Sequence, residues 1–123
     1  MYKVIKRMEI SAAHQLDLPY ESKCKNLHGH NWIVDVEISA EELTNGMVFD
    51  FTHIKKHVHN TLDHQNVNTI ITQPTAENMA KWIYDRLETI LCDLMENDDI
   101  SESVHVTKIT VQESEGNVAC YIP

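Results

Sequence analysis

The chain has 123 residues, 42% of them apolar, a mean hydropathy of −0.34 and a formal charge of −9, values of one globular domain spanning 1–123 rather than of a disordered or fibrous chain. The acid excess opposes non-specific nucleic-acid binding, no apolar run approaches the ~20 residues of a membrane span, and the charged N-terminus lacks the apolar block of an export signal. Three cysteines without framework spacing (Cys24, Cys92, Cys120) point to free thiols in a reducing, cytoplasmic compartment.

Residues 2–11 alternate through Tyr2, Val4, Met8 and Ile10, which predicts a strand. Residues 12–30 lack periodicity and read as a long loop. Alternation returns at 31–40, with Trp32, Val34, Val36 and Ile38 on one face and Ile33, Asp35 and Glu37 on the other. Asn45-Gly46 is a turn signal, and Met47-Val48-Phe49 reads as a short strand after it.

The period then changes, because Phe51, Ile54, Val58 and Leu62 recur at helical spacing. A loop containing Asn66, Asn68 and Pro74 leads to Thr75, a favourable helix N-cap, with Glu77 in the first turn. Met79, Trp82, Ile83, Leu87, Ile90 and Leu94 make one apolar stripe, which predicts a helix over 76–95 ended by Asn97-Asp98-Asp99. Residues 103–113 alternate as a strand, and Glu115-Gly116-Asn117 turns the chain into a last strand over 118–122. The order β, β, β, α, α, β, β with short turns implies an antiparallel sheet carrying both helices on one face, an α+β layer. So small a sheet must pair or cover its edges, and self-association is one solution.

Cys24-Lys25-Asn26-Leu27-His28-Gly29-His30 carries the chemistry. In an extended segment residues i and i+2 point to one side, so His28 and His30 reach a common point. Gly29 between them frees the backbone to bend toward an ion. His14, at the end of the first strand, joins them if that strand pairs with the next. Three neutral imidazoles suit zinc, and three protein ligands leave the open fourth position of a catalytic site. Two alternatives stand beside this. His53 and His57, four apart on the first helix with His59 close by, are a rival pair, although they fall between lysines and fit a solvated face. Cys24 as a fourth ligand would instead close the site, making a structural zinc in a non-catalytic protein.

Cys24 also has two readings without metal ligation. A thiol beside a dication has a lowered pKa and serves as a base, whereas a cysteine away from charge is a small hydrophobe, the reading given to Cys92 and Cys120. Asp63 and His64 are adjacent at the end of the first helix. There a carboxylate can orient an imidazole and raise its proton affinity for proton transfer, or simply cap a turn while His64 is solvated. Glu113 and Glu115 read as strand-end charges.

Ser-Ala-Ala-His at 11–14, Cys-x-x-x-His-Gly-His at 24–30, Leu-Asp-His at 62–64, Pro-Thr-x-Glu-Asn at 74–78 and Gln-Glu-Ser at 112–114 occur in register along nearly the whole chain. Together they resemble the 6-pyruvoyl-tetrahydropterin synthase superfamily, and the three residues between Cys24 and His28 match its bacterial branch that makes 6-carboxy-5,6,7,8-tetrahydropterin for queuosine biosynthesis. The resemblance implies the tunnelling fold (T-fold), in which three subunits pair sheet edges into a barrel and two trimers stack into a hexamer with active sites at subunit interfaces. It implies zinc on His14, His28 and His30, Cys24 as base, and His64 oriented by Asp63 for proton return. It implies Glu113 as the pterin anchor and a member of the proton relay, with Thr75 also touching the pterin. The implied reaction is a zinc-dependent lyase step from 7,8-dihydroneopterin triphosphate to 6-carboxy-tetrahydropterin, acetaldehyde and triphosphate. The alternative within the superfamily is 6-pyruvoyl-tetrahydropterin synthase, which retains the three-carbon side chain. Lys23 and Lys25 either meet the phosphates or are solvated loop lysines.

Overall fold

Alternating apolar residues build two long strands, β1 (Tyr2–His14) and β2 (His28–Ala40), which pair antiparallel over their full length in the computed structural model; it describes residues 1–123. β3 (His105–Ser114) and β4 (Asn117–Tyr121) complete an antiparallel sheet in the order β1-β2-β3-β4. Two helices, α1 (residues 52–62) and α2 (Ala76–Glu96), pack on one face, so the α+β layer is as expected from the pattern.

The core lies between that face and the helices. Ile10, Trp32, Val34, Ile38 and Ile109 meet Ile54, Leu62, Met79, Ile83 and Leu87, all fully buried. Each such side chain contributes about 1.5–3 kcal/mol through area removed from water. The other sheet face is polar and laced across β1 and β2. Arg7 Nε and Nη2 donate to the two oxygens of Asp35 at 2.8 and 2.9 Å, Lys3 pairs with Glu37 at 3.3 Å, and Ser11 donates to Asn31 at 2.8 Å.

Three sequence expectations change. The loop at 12–30 is shorter, because β1 continues to His14 and β2 begins at His28. Those end positions hold histidines on the core face, so a pattern that scores histidine as polar breaks there although the strands do not. Met47-Val48-Phe49 is not a strand. Asn45 and Gly46 take the positive φ values of 54° and 76° needed for a two-residue turn, but only the Thr44–Met47 bridge forms, and Val48 and Phe49 wedge into the core instead. α1 is also irregular: Thr52–Ile54 and Asn60–Leu62 flank a π-helical stretch, Lys55–His59. Residues four apart drift about 40° around an α-helix; the wider turn cancels part of that drift, so Ile54, Val58 and Leu62 all stay buried.

Candidate metal centre

The β1–β2 ladder sets the histidines. His14 is the Cα partner of His28, and His30 is two residues along the same face of β2. The rings converge: His14 Nε2 and His28 Nε2 are 3.1 Å apart, and the ring centroids lie 4.6–5.1 Å from one another. Trp32 forms the floor, its ring 4.8 Å from that of His14 and 5.2 Å from that of His30, anchored by Nε1–H donating to the Ala12 carbonyl.

The outer ring nitrogens decide the tautomers. His14 Nδ1 is 2.7 Å from the Pro74 carbonyl oxygen, and His28 Nδ1 is 2.6 Å from that of Asn26. A carbonyl only accepts, so both rings carry a proton on Nδ1 and turn Nε2 inward. The two inner nitrogens face each other at 3.1 Å. Burial pushes the His30 pKa down, against the pull of the Glu113 carboxylate, and so favours the neutral form of this ring. His30 Nε2 is buried away from water, and its one close polar neighbour on Glu113 is Oε1 at 2.9 Å.

A cation resolves all of this. The ligand atoms of His14, His28, His30 and Glu113 lie within 4.8 Å of one another. A tetrahedral zinc with Zn–N of about 2.0–2.1 Å spaces its ligand atoms by roughly 3.3 Å, close to the 3.1 Å between His14 Nε2 and His28 Nε2. Carbonyl acceptors on the outer nitrogens are the usual supports of metal-binding imidazoles. The donor set fits zinc.

Glu113 arrives by a device that strand pattern does not show. Gln112 pairs with Val118 and Ser114 with Asn117, so Glu113 is the extra residue of a β-bulge. Its carboxylate lies 3.5 Å from His14 Nε2 and also lines a cleft of about 420 Å³ between the start of α2 (Ala76, Glu77) and β4 (Asn117 to Cys120). Thr75 caps α2, its Oγ1 accepting from Asn78 N–H at 3.1 Å.

Cys24 is half-buried in a 3₁₀ turn, Lys23–Lys25, and stands outside the four-residue ligand group. Its place is nonetheless tied to the site. Its carbonyl accepts from Leu16 N–H at 2.7 Å, and the turn ends at Asn26, whose carbonyl holds His28. Asp63 and His64 lie on the other side. Asp63 Oδ1 accepts from Ser11 N–H at 2.9 Å, and its Oδ2 is 3.5 Å from His64 Nε2. His64 itself donates its N–H to the Ser11 carbonyl at 2.7 Å. Its φ of 60° is left-handed, a strained backbone for a side chain, and turns the exposed imidazole into a second cleft of about 530 Å³ that His30 also lines. Gly29 lines this cleft too, but an added Cβ would meet only the Ala12 carbonyl at 3.8 Å, so no local crowding or bend demands glycine there.

The structure thus groups His14, His28, His30 and Glu113 and leaves Cys24, Asp63, His64 and Thr75 around them. Sequence reading missed Glu113 beside the imidazoles and the carbonyls of Pro74 and Asn26. The only signals for the carbonyls were Pro74 just before a helix cap and Asn26 two residues before His28. The rival pair does not converge: the His53 and His57 rings stack at 6.5 Å, outside any cluster of ligand atoms.

The 6-pyruvoyl tetrahydropterin synthase family matches residues 3–123. A 6-carboxy-5,6,7,8-tetrahydropterin synthase from Synechocystis sp. is 37% identical over an alignment covering 72% of this chain and 76% of that protein. A dihydroneopterin monophosphate aldolase from Pyrococcus furiosus is 36% identical, covering 69% of this chain and 74% of that protein. The solved 6-pyruvoyl tetrahydropterin synthase of Caenorhabditis elegans superposes with a TM-score of 0.74 at 27% identity, covering 99% of this chain and 95% of that one.

Proposed function

The chain belongs to the 6-pyruvoyl tetrahydropterin synthase family, and from that membership we propose that it is a zinc enzyme converting 7,8-dihydroneopterin triphosphate to 6-carboxy-5,6,7,8-tetrahydropterin, acetaldehyde and triphosphate, in the cytoplasm and as part of queuosine biosynthesis. That it is a lyase of tetrahydropterin synthase type follows from its relatives. The zinc, the substrate and the product are the finer reading. The observation that carries it is the convergence of three imidazole Nε2 atoms, two of them on rings whose Nδ1–H is bound to a carbonyl.

His14, His28 and His30 would hold the ion, which when bound supplies Lewis acidity toward the oxygens of the hydroxylated pterin side chain. Glu113 would accept the pterin amino and ring N–H groups side by side in the cleft at the start of α2, with Thr75 adjacent. Cys24 would take a side-chain proton as the base. His64, steadied by Asp63, would return protons from the opposite cleft that His30 also lines. The two clefts are open grooves, and the edge of β4 together with the start of the β1 edge, ahead of the Glu9–Ala13 stretch that residues 59–66 cover, offers the pairing by which identical subunits would close them in a trimer or hexamer. No helix is long and apolar enough to cross a membrane. The exclusion of Cys24 from the ligand group weighs against the closed structural-zinc alternative.

The test is product identity. Incubation with 7,8-dihydroneopterin triphosphate should release acetaldehyde and a carboxy-tetrahydropterin by mass. A product that retains all three side-chain carbons would reassign the chain to 6-pyruvoyl-tetrahydropterin synthesis. Turnover confined to the monophosphate would move it toward the aldolase named in Pyrococcus furiosus.

A further inference from the structure

We propose that Asn78 and Gln73 are positioning residues that hold His14 in its metal-binding tautomer by locking the turn at Pro74. This rests on the metal-centre reading above. His14 is fully buried, and the only partner of its Nδ1 is the Pro74 carbonyl at 2.7 Å. The direction of that carbonyl therefore fixes which nitrogen carries the proton and where Nε2 points.

Proline lends the turn a fixed φ but no N–H of its own, so the turn must be fastened by neighbours. Three fastenings are present. Thr75 N–H donates to the Gln73 carbonyl at 2.8 Å, closing the chain across Pro74. Asn78 Nδ2 donates to the same carbonyl at 2.8 Å while its backbone N–H donates to Thr75 Oγ1 at 3.1 Å, so one residue grips both flanks of the proline. The Gln73 carboxamide pairs with the Asp17 backbone in both directions, Oε1 accepting from its N–H at 3.0 Å and Nε2 donating to its carbonyl at 2.9 Å. Asp17 is three residues after His14, so this clamp ties the segment leaving β1 to the turn that orients His14.

Asn78 has no packing reason for its identity. It is exposed in the first turn of α2, where alanine is the better helix former. Its side chain instead reaches back to the turn. Asn78→Ala should therefore leave the fold intact and loosen His14 specifically.

Zinc affinity measured by chelator competition on the full chain tests this, together with ¹⁵N–¹H spectra of the His14 ring in the metal-free protein. Asn78→Ala and Gln73→Ala should each weaken zinc binding about tenfold, the lower part of the range for outer supports of metal ligands. The metal-free Asn78→Ala midpoint should stay within about 2 °C of wild type. His14 should be a single Nδ1–H tautomer in wild type and a mixture in the variants. Asn97→Ala removes a matched Nδ2 bond to the Asp93 carbonyl at the other end of α2 and should change neither readout. Wild-type affinity and tautomer in both turn variants overturn the proposal while leaving the metal centre standing. A wild-type chain that takes up no zinc overturns the metal centre and this proposal with it.

Discussion

The β1–β2 hairpin is a single ladder whose two ends do opposite things with the same face. Toward its middle and far end, Met8, Ile10, Val34, Val36 and Ile38 fill the core-facing positions and are buried by the helices. At the other end, the same alternation places His14, His28 and His30, whose inner nitrogens meet only one another and Glu113. The apolar end is complete as it stands. The imidazole end keeps polar atoms out of water and is supported from outside by the Pro74 and Asn26 carbonyls, an arrangement that gives up stability and gains a preformed ligand set. A site built on rigid strands, rather than on loops, holds that set without reorganisation.

The strongest way to break the comparison is His14→Ala. It should reduce turnover about 10⁴-fold or more and abolish zinc uptake, while the metal-free chain still unfolds in one cooperative transition at a lower denaturant midpoint. Unfolding of the apo variant before assay would instead mean that this histidine serves the core. Next in size is Trp32→Ala, which strikes both ends at once. Urea melts should show a loss of about 3–5 kcal/mol, and zinc affinity should fall with it because the floor beneath two imidazoles is gone. Cys24→Ala should lower kcat about 10²-fold with zinc stoichiometry intact; loss of the metal would show the thiol to be a ligand. The smallest effect is on the polar face. Hydrogen bonds from Arg7 hold the Asp35 carboxyl below the usual carboxylate range. A depressed pKa in the folded state gives stability that is present above the unfolded value and lost as pH falls through the folded one. Between about pH 5 and pH 3, wild type should lose more stability than Asp35→Asn, by a small margin for so exposed a pair.

Much of this was readable from residue pattern. Period-two alternation located β1, β2 and β3, the turn at Glu115-Gly116-Asn117 located β4, and the stripe from Met79 to Leu94 located α2. The i, i+2 spacing of His28 and His30, with His14 at a strand end, located the cluster. What pattern missed depends on geometry that residue type does not encode. The bulge at Glu113 is a register event between β3 and β4. The π-turn in α1 follows from how that helix seats on the sheet, and the carbonyls that set the tautomers belong to the backbone. Val48 and Phe49 read as strand because buried apolar residues look alike whether they pair or wedge.

The central claim is that the imidazole end of the hairpin is a zinc site used for chemistry. Metal analysis of the purified wild-type chain and of His28→Ala, with activity followed through chelation and zinc return, tests it directly. One zinc per chain is expected in wild type and none in His28→Ala, with activity lost to the chelator and restored by zinc. Undiminished activity in metal-free wild type, or a full zinc complement in His28→Ala, would contradict it.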